Sequence, residues 1–498
     1  MLSARLVRRY LPLVLLVLVA GLAWRAADAA DTDDERLTPI LYERDLATPV
    51  LSARRIPKTL QAPVADDAIQ PAIGAVVAGS TPATCLVVTV DGRVITSQNA
   101  ELPVVPASNE KVLTTFTAMA ILGPDHTFVT EVRASGTVVD GVLTGDLFLV
   151  GGGDPFLATD NWWTQFDTQD GRAHTRLETL ADAVAASGIT SVTGSLFGDD
   201  TLFDQERYGP WATRLIDTRQ SGPLSALAVN EGFISWPEQY TGSFRPRVPT
   251  DDPPSHAAAV FAQLLGERGV TVSSGGAATA PAEASPLAQV VSPPLSELIT
   301  HINSYSNNFG AEILLKHIGR DQRGIGSTAN GAAAMMTFLT EQGFDMNGVN
   351  LLDGSGLSEE TTLTCQLLTD VLLAAGPSSP FAQSMSIGGV RGSLIGRHVA
   401  TAATGQVFAK TGTLNDVTAL SGYVYSPVEA GTTLTFAYVV NGELAGQDER
   451  IRGLQEPFVE QLATYPAGPS RDQLSPLAPV VNPLPEAAAG DSSDDTTG

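Results

Sequence analysis

The sequence predicts an α+β protein whose helices and strands are interrupted by a long β-rich segment. Helix-like periodicity covers 110–122 and 295–319, whereas 418–425 and 433–441 have the apolar, β-branched composition of strands. Between about 128 and 294 the pattern changes to short β-like runs joined by Gly-rich turns. Together these observations indicate a mixed domain with a β-rich insertion.

Length and composition are those of a large folded protein. A chain of 498 residues is long for one domain, so two or three folded units are expected. With 43% hydrophobic and 17% charged residues, the chain can bury a substantial core. A net charge of −25 would repel a phosphate backbone, which argues against nucleic-acid binding.

The N-terminus carries the pattern of an export signal. Arginines within 5–9 precede an apolar run at 11–24, and the small residues at 27–29 offer a cleavage site. The run is shorter than the ~20 residues of a comfortable membrane span, although an anchor is an alternative. The Arg8-Arg9 pair could indicate twin-arginine export, but the flanking pattern is missing, which favours ordinary secretion. We therefore predict export to the cell envelope, periplasmic or extracellular, with 1–30 as signal peptide or membrane anchor.

The chain has two cysteines, Cys85 and Cys365. Outside the cell they could form one disulfide bond, and a pair of buried, unlinked thiols is the alternative. Neither cysteine has neighbours at metal-ligand spacing. The sequence leaves both possibilities open.

The remaining boundaries follow changes in composition. Residues 31–66 are acidic and weakly periodic, which is typical of a linker, and the tail from 466 is rich in Pro, Ala, Ser and Asp, which favours disorder. The predicted organisation is an export segment (1–30), a linker (31–66), the first part of the mixed domain (67–127), one or more inserted domains (128–294), the second part of the mixed domain (295–465) and a disordered tail (466–498).

The first chemical motif is Ser108-Asn109-Glu110-Lys111, at the start of a helix-like run. Its spacing places Ser108 and Lys111 on one helical face. A serine hydroxyl needs a base within hydrogen-bond reach; a lysine whose pKa is lowered by burial can be that base, whereas an arginine cannot. Free N–H groups at the helix start could face a developing oxyanion. The motif thus predicts a serine nucleophile activated by Lys111.

Two further motifs supply polar groups of the kind that a serine enzyme needs. Ser306-Asn307-Asn308 places a hydroxyl and an amide together at a helix, where they can relay a proton and hold a carbonyl. Lys410-Thr411-Gly412-Thr413 has the composition of a strand, with a cation and two hydroxyls that could hold a carboxylate. The glycine would let a substrate backbone approach the strand closely.

Each motif alone also has an ordinary structural explanation. Ser-x-x-Lys occurs on amphipathic helices, Ser-x-Asn caps helices, and Lys-Thr-Gly can form a turn. The combination is more specific, because two of the four lysines in the chain, Lys111 and Lys410, stand in these motifs while arginine supplies most other positive charge. The three motifs occur together in one class of acyl-transferring serine enzymes.

The chain resembles the low-molecular-mass class C penicillin-binding proteins, the D-alanyl-D-alanine carboxypeptidase/endopeptidase family of the penicillin-binding protein 4 type. The resemblance covers about 69–465, and the long gap between Lys111 and Ser306 is typical of a family that inserts domains there. The matching segments, in the family's order, are 105–111, 145–147 with 153–155, 224–227, 353–358 and 409–414.

The resemblance implies a β-lactamase/transpeptidase-like domain, with an antiparallel sheet flanked by helices, split by the inserted domain and carrying Lys410 at one edge. It also implies that Ser108 attacks the carbonyl of the penultimate D-Ala in a peptidoglycan stem peptide, with Lys111 as general base. Ser306 would pass a proton to the leaving amine, and Asn308 would hold Lys111 and the substrate amide. Lys410 would supply positive potential.

The resemblance further suggests how substrate is bound. Thr411 and Thr413, on either side of Gly412, would hold the terminal carboxylate, and the backbone N–H groups of Ser108 and Thr413 would form the oxyanion hole. β-Lactam antibiotics would acylate Ser108 as mimics of the substrate's end, and no metal or organic cofactor is required. Residues matching a pocket for the amine-bearing end of the stem peptide in some relatives are Asp154, Leu414 and Asn415.

Two other functions compete with a D-Ala-D-Ala peptidase. A β-lactamase would use the same acylated serine, but the long insertion without an evident deacylating Glu loop argues against it. A non-catalytic wall-binding protein with a decayed site is the other, and the intact motifs argue against decay. Trp162-Trp163 is expected to be a buried aromatic pair, with a glycan platform as the alternative. The favoured function is a serine-type carboxypeptidase, with endopeptidase action on cross-links left open.

Overall fold

The computed structural model describes residues 56–166, 170–239 and 246–468. The predicted export segment, most of the predicted linker and most of the predicted tail lie outside these residues. Within the described part of the chain, no helix combines the length and apolar character needed to cross a bilayer.

The described chain contains runs of strands and runs of helices. The strands are β1 (Thr84–Val90), β2 (Arg93–Gln98), β3 (Val129–Val139), β4 (Val142–Val150), β5 (Leu157–Ala158), β6 (Thr175–Arg176), β7 (Ser191–Asp199), β8 (Phe233–Ser235), β9 (Val248–Pro249), β10 (Thr271–Ala277), β11 (Ser285–Val291), β12 (Ser386–Ile387), β13 (Val407–Leu414), β14 (Val417–Tyr425) and β15 (Thr433–Asn441). The helices are α1 (Ile56–Gly79), α2 (Glu110–Leu122), α3 (Asp160–Trp163), α4 (Leu177–Ala186), α5 (Thr213–Asp217), α6 (Pro253–Glu267), α7 (Leu295–Tyr305), α8 (Asn308–Arg323), α9 (Thr328–Glu341), α10 (Cys365–Ala375), α11 (Pro380–Gln383), α12 (Glu449–Gly453) and α13 (Gln455–Leu462). Single 3₁₀ turns lie at Ala107–Asn109, Asn230–Gly232 and Gly392–Leu394.

The larger sheet has six strands in the order β12-β13-β14-β15-β1-β2, each antiparallel to its neighbours. Every residue of β1 is buried, and its side chains alternate between the two faces of the sheet. Leu86 and Val88 belong to the apolar cluster that includes α1 and α13, whereas Cys85 and Val87 belong to the cluster that includes α2 and α10. Helices therefore flank the sheet on both faces, which confirms the predicted α+β fold.

A second sheet of five strands lies within the insertion, in the order β10-β7-β4-β3-β11. β3 and β4 form an antiparallel hairpin, whereas β7 runs parallel to both β4 and β10. Helices α4 and α6 pack with this sheet through a separate apolar cluster that includes Leu180 and Phe261. This sheet is the β-rich element that splits the mixed domain, while the residue bounds of the individual domains stay predictions.

The structure differs from the sequence expectations at two places. Residues 56–66, expected to be linker, form the start of α1. The run 295–319, expected to be one helix, is broken at Ser306 between α7 and α8. Trp162 and Trp163 are only 1% and 5% exposed, which confirms the expected buried aromatic pair over a glycan platform.

Cys85 and Cys365 form a disulfide bond, with their Cα atoms 5.8 Å apart. Both side chains are fully buried. The bond ties β1, inside the six-stranded sheet, to the first residue of α10. The structure thus selects the disulfide over the unlinked thiols, and the loop that it closes contains the whole insertion.

Replacing both cysteines with alanine should lower the free energy of unfolding by about 3–5 kcal/mol. The bond joins residues 280 positions apart, and closing a longer loop removes more entropy from the unfolded chain. Urea unfolding of the double variant, compared with oxidised and reduced wild type, measures the effect. An unchanged unfolding midpoint would show that the bond does not stabilise the native fold.

Candidate active site

Ser108 lies in a tight turn that ends where α2 begins. The 3₁₀ turn Ala107–Asn109 directly precedes Glu110, the first residue of α2. Ala107 has a left-handed backbone (φ 48°), which few non-glycine residues adopt and which is common at functional sites. The turn packs against Gly356, where an added Cβ would lie 1.9 Å from the Ala107 carbonyl oxygen. A glycine at 356 is therefore required for the close contact that holds Ser108 at the helix start.

Lys111 follows one turn later and is fully buried. Its Nζ lies 2.9 Å from Ser108 Oγ, 2.7 Å from Asn308 Oδ1 and 2.5 Å from the carbonyl oxygen of Ser355. A neutral amine has two N–H groups and one lone pair. If the two N–H groups donate to Asn308 and Ser355, the lone pair is left to accept a hydrogen bond from the Ser108 hydroxyl. This arrangement is that of a base positioned on a nucleophile.

Two opposing effects set the charge state of Lys111, namely burial and the charge of nearby carboxyl groups. Burial lowers the pKa of Lys111 from its ordinary 10.5 to about 8, because the ammonium form loses its hydration. Negative charge on the neighbouring carboxyl groups of Asp353, Glu312 and Glu110 acts in the opposite direction, because an ionised carboxylate favours the ammonium form. A fraction of Lys111 is therefore neutral near physiological pH and able to accept a proton.

Ser306 stands at the break between α7 and α8. It ends α7 with a left-handed backbone (φ 57°, ψ 39°), and the Asn307 side chain then caps α8. Asn308 is held through both ends of its amide, since Nδ2 donates to the carbonyl of Gln220 (2.8 Å) and Oδ1 accepts from Lys111. The break thus brings the serine and asparagine of the second motif to the first motif, with Asn307 serving as a helix cap.

Lys410 lies on β13, directly after the residues of that strand that pair with β12. β12 pairs with Phe408 and Ala409 and stops short of Lys410. Lys410 is fully buried, and its Nζ donates to Ser306 Oγ and to the Thr411 carbonyl, both at 2.8 Å. Desolvation, and then the charge of Lys111, lower the pKa of Lys410 well below its ordinary value.

The three motifs meet in one cleft of about 460 Å³. Lys111 and Lys410 adjoin it through their hydrogen bonds to Ser108 and Ser306. Gly412 does not line it; an added Cβ there would lie 2.8 Å from the Asn109 side chain, so this glycine lets β13 pack on the turn that carries Ser108. The predicted residues that line the cleft are Ser108, Ser306, Asn308, Thr411, Thr413, Leu414 and Asn415.

Asp154 does not line this cleft. Its buried carboxyl group accepts hydrogen bonds from the Phe156 N–H and the Thr175 hydroxyl. Burial raises the pKa of Asp154 to about 6. The side chain holds a local turn of the insertion, and its predicted contact with substrate stays a prediction.

Several groups at the site were not predicted from the sequence. Gln220 and Tyr305 line the cleft, and Ser393 Oγ lies 2.7 Å from Thr411 Oγ1. The Ser355 carbonyl oxygen holds Lys111. Backbone carbonyls and residues on distant loops leave no local pattern in a sequence. Ser355 had a signal, because it lies in one of the matching segments of the resemblance, and Tyr305 directly precedes the second motif.

A protein-family profile described as the D-Ala-D-Ala carboxypeptidase 3 (S13) family matches residues 60–243 and 237–464. The chain belongs to this family. The S13 chain is accordingly a peptidase of the D-Ala-D-Ala carboxypeptidase class, which confirms the resemblance inferred from the motifs. Membership in a family of cell-wall peptidases also indicates a role outside the cytoplasm.

Relatives of this S13 member match over most of their length. A D-alanyl-D-alanine carboxypeptidase of Actinomadura sp. (strain R39) is 31% identical over 439 residues, which cover 73% of this chain and 78% of the relative. Carboxypeptidase DacB of Mycolicibacterium smegmatis is 29% identical over 431 residues, covering 82% and 84%. The solved structure of penicillin binding protein 4 (dacB) from Haemophilus influenzae covers 79% of this chain and 99% of its own, with a TM-score of 0.65 and 19% identity. That structural match establishes the shared fold.

Proposed function

We propose that this S13 peptidase cleaves the terminal D-Ala-D-Ala bond of peptidoglycan stem peptides through an acyl-enzyme on Ser108. The observation that carries the proposal is the set of three contacts at Lys111 Nζ, which leaves its lone pair for the Ser108 hydroxyl. A neutral lysine so placed can take the proton as the serine attacks.

In the acylation step, Ser108 Oγ forms a bond to the carbonyl carbon of the penultimate D-Ala while its proton passes to Lys111 Nζ. The N–H groups of Ser108 and Thr413 would hold the negative charge that develops on the carbonyl oxygen. The C–N bond then breaks, and the leaving amine takes a proton from Ser306, which regains one by way of Lys111. Water then attacks the ester carbonyl and gives a proton to Lys111; as the ester C–O bond breaks, Lys111 returns that proton to Ser108 Oγ, which restores the hydroxyl and the neutral amine.

The terminal carboxylate of the substrate would lie against the Thr411 and Thr413 hydroxyls, beside Lys410. Desolvation lowers the pKa of Lys410. A bound carboxylate would raise that pKa again, because its negative charge favours the ammonium form. Lys410 would therefore supply its positive charge when substrate is present, and its bond to Ser306 would position the proton donor.

The rate at which a β-lactam acylates Ser108 should rise with pH, with a midpoint near 8. The pKa of Lys111 is about 8; below it the ammonium form cannot accept the serine proton, and above it the neutral amine can. Rapid-mixing measurement of the second-order acylation rate constant at sub-saturating β-lactam, over a series of buffers, gives the profile of the free enzyme. A rate that stays flat from about pH 6 to 9 would contradict a role for Lys111 as base.

The direct test uses a pentapeptide ending in D-Ala-D-Ala and a matched peptide ending in L-Ala. The enzyme should release D-Ala from the first and leave the second intact, and a cross-linked dimer assayed in parallel measures any endopeptidase activity. With penicillin, mass spectrometry should find a covalent adduct on the fragment that contains Ser108. Rapid release of hydrolysed penicillin would favour a β-lactamase, and a folded protein without adduct would favour a non-catalytic wall-binding protein.

Two further observations support β-lactam binding and an envelope location. A solved structure of penicillin binding protein 4 from Haemophilus influenzae complexed with a β-lactam covers 78% of this chain, with a TM-score of 0.57. The buried Cys85–Cys365 bond is of a kind that persists in oxidising compartments. Sequencing the N-terminus of the exported protein would distinguish cleavage after the predicted signal at 1–30 from retention of an anchor.

A further inference from the structure

The carboxyl groups of Glu110, Glu312 and Asp353 lie around Lys111, the proposed general base. All three side chains are fully buried. The charged groups that face Glu110 are Asp353, Glu312 and Lys111. A buried carboxylate is costly unless it is paired or hydrogen-bonded, so three ionised groups beside one lysine are not stable together. This cost favours protonation within the cluster, and the distribution of hydrogen-bond donors indicates which groups carry the protons.

Asp353 is the acceptor at the centre of the cluster. Several of its donors belong to the loop 354–358, whose Ser355 carbonyl holds Lys111. Donors of this kind stabilise the ionised form of a carboxyl group. The donors are Trp211 Nε1 (2.9 Å), Leu357 N (2.9 Å), Ser358 N (3.0 Å) and Ser355 Oγ (3.2 Å) to Oδ2, and Thr361 Oγ1 (3.3 Å) to Oδ1.

Glu312 binds the same loop from the other side. Its Oε1 accepts from the N–H groups of Gly354 and Ser355, at 3.0 and 2.8 Å. Burial, and then the charge of Asp353, raise the pKa of Glu312 to about 8. Glu312 can therefore hold the loop while remaining largely protonated at neutral pH.

Glu110 has no comparable donors. Within the described chain, no N–H or hydroxyl group donates to either of its carboxyl oxygens. Its carboxyl group nevertheless lies within hydrogen-bond reach of the Asp353 carboxyl group. Two carboxyl groups so close cannot both be ionised. Because Asp353 has donors for its negative charge and Glu110 has none, the shared proton belongs on Glu110.

We propose that Glu110 is a positioning residue that stays a neutral carboxylic acid in the working enzyme and donates a hydrogen bond to Asp353. It would thereby fix the loop that holds Lys111 without adding a further negative charge beside it. Burial, and then the charge of Asp353, raise the pKa of Glu110 well above its ordinary value, which agrees with this assignment. An ionised Glu110 would instead favour the ammonium form of Lys111, which is inactive as a base; this consequence rests on the proposed role of Lys111.

The protonation state can be measured without any enzymatic assay. The infrared spectrum of the wild type at neutral pH should contain a carbonyl band of protonated carboxylic acid, shifted in D₂O. Glu110→Gln should remove a component of that band, whereas Glu341→Gln, at an exposed position at the end of α9, should not. A band that is the same in wild type and Glu110→Gln would overturn the proposal, whether or not the enzyme is active.

The positioning role is tested with two variants of similar size. Glutamine is neutral and keeps a donor for Asp353, so Glu110→Gln should acylate within about threefold of wild type and with the same pH midpoint. Methionine has no donor, so Glu110→Met should acylate about tenfold more slowly, or slower still, with an unchanged circular dichroism spectrum. If Glu110→Met does not fold, the acylation rate and pH midpoint of Glu110→Gln alone test the proposal. A midpoint that moves to lower pH in Glu110→Gln would show that Glu110 is ionised, and a wild-type rate in a folded Glu110→Met would remove the positioning role.

Discussion

Ser108→Ala should abolish both the penicillin adduct and the release of D-Ala, lowering turnover by a factor on the order of 10⁴ or more. The variant removes the hydroxyl that lies 2.9 Å from Lys111 Nζ, and with it the atom that would carry the acyl group. The fold should be unaffected, because the side chain is small and half-buried. Mass spectrometry after incubation with penicillin, together with a D-Ala release assay, measures both losses.

Ser273→Ala is the matched control, since Ser273 is exposed on β10 in the insertion, away from the cleft. It should keep full activity, and thermal unfolding should show that both variants are folded. An adduct that persists in Ser108→Ala and maps to Ser306 would reassign the nucleophile to the second motif. If Ser108→Ala loses the penicillin adduct because it does not fold, the loss does not test the nucleophile. The lysine variants described below then test the chemistry.

Elements with continuous local signals could be predicted from the sequence. The helix 110–122 has the predicted bounds in the structure, because its helix-forming run is stopped by Gly123-Pro124. The strand 433–441 also matches, since its apolar and β-branched residues are almost entirely buried. Such segments depend little on distant parts of the chain, so residue pattern alone locates them.

The break at Ser306, which places the second motif, had only a partial signal: Ser-x-Asn is a helix-cap pattern, yet the run 295–319 predicts one helix. Residues on both sides favour a helix, and a left-handed serine has no signature comparable to that of glycine. Tertiary contacts impose the break: Asn308 is held by Gln220 and Lys111, and Ser306 by Lys410. The motif therefore indicated the chemistry, while the fold alone shows how its residues reach the nucleophile.

The cluster beneath Lys111 was hidden for a similar reason. Glu110 lies beside the nucleophile in sequence, where an acidic residue in the first turn of a helix is ordinarily solvated. It is buried because the loop that begins at Asp353 packs on that turn, through the close contact of Gly356 with Ala107. A contact between segments so far apart in the chain cannot be recovered from local composition.

Lys111→Arg should reduce the acylation rate by a factor on the order of 10²–10⁴, although it keeps a positive charge at the site. A guanidinium does not lose its proton in the accessible pH range, so it cannot take the proton of Ser108. Raising the pH should therefore not rescue the variant, in contrast to the wild type. Rapid-mixing acylation rates across the pH series measure this difference.

Lys111→Met separates the loss of the base from the larger volume of arginine. Methionine fills a similar buried space without charge or donors, so it should lose acylation to the same extent as arginine if proton transfer is the function of Lys111. Activity retained in Lys111→Arg but lost in Lys111→Met would show that Lys111 acts through its charge, and the base would then have to be another group at the cleft. Equal losses, with thermal unfolding showing both variants folded, would leave proton acceptance as the property that only lysine provides at this position.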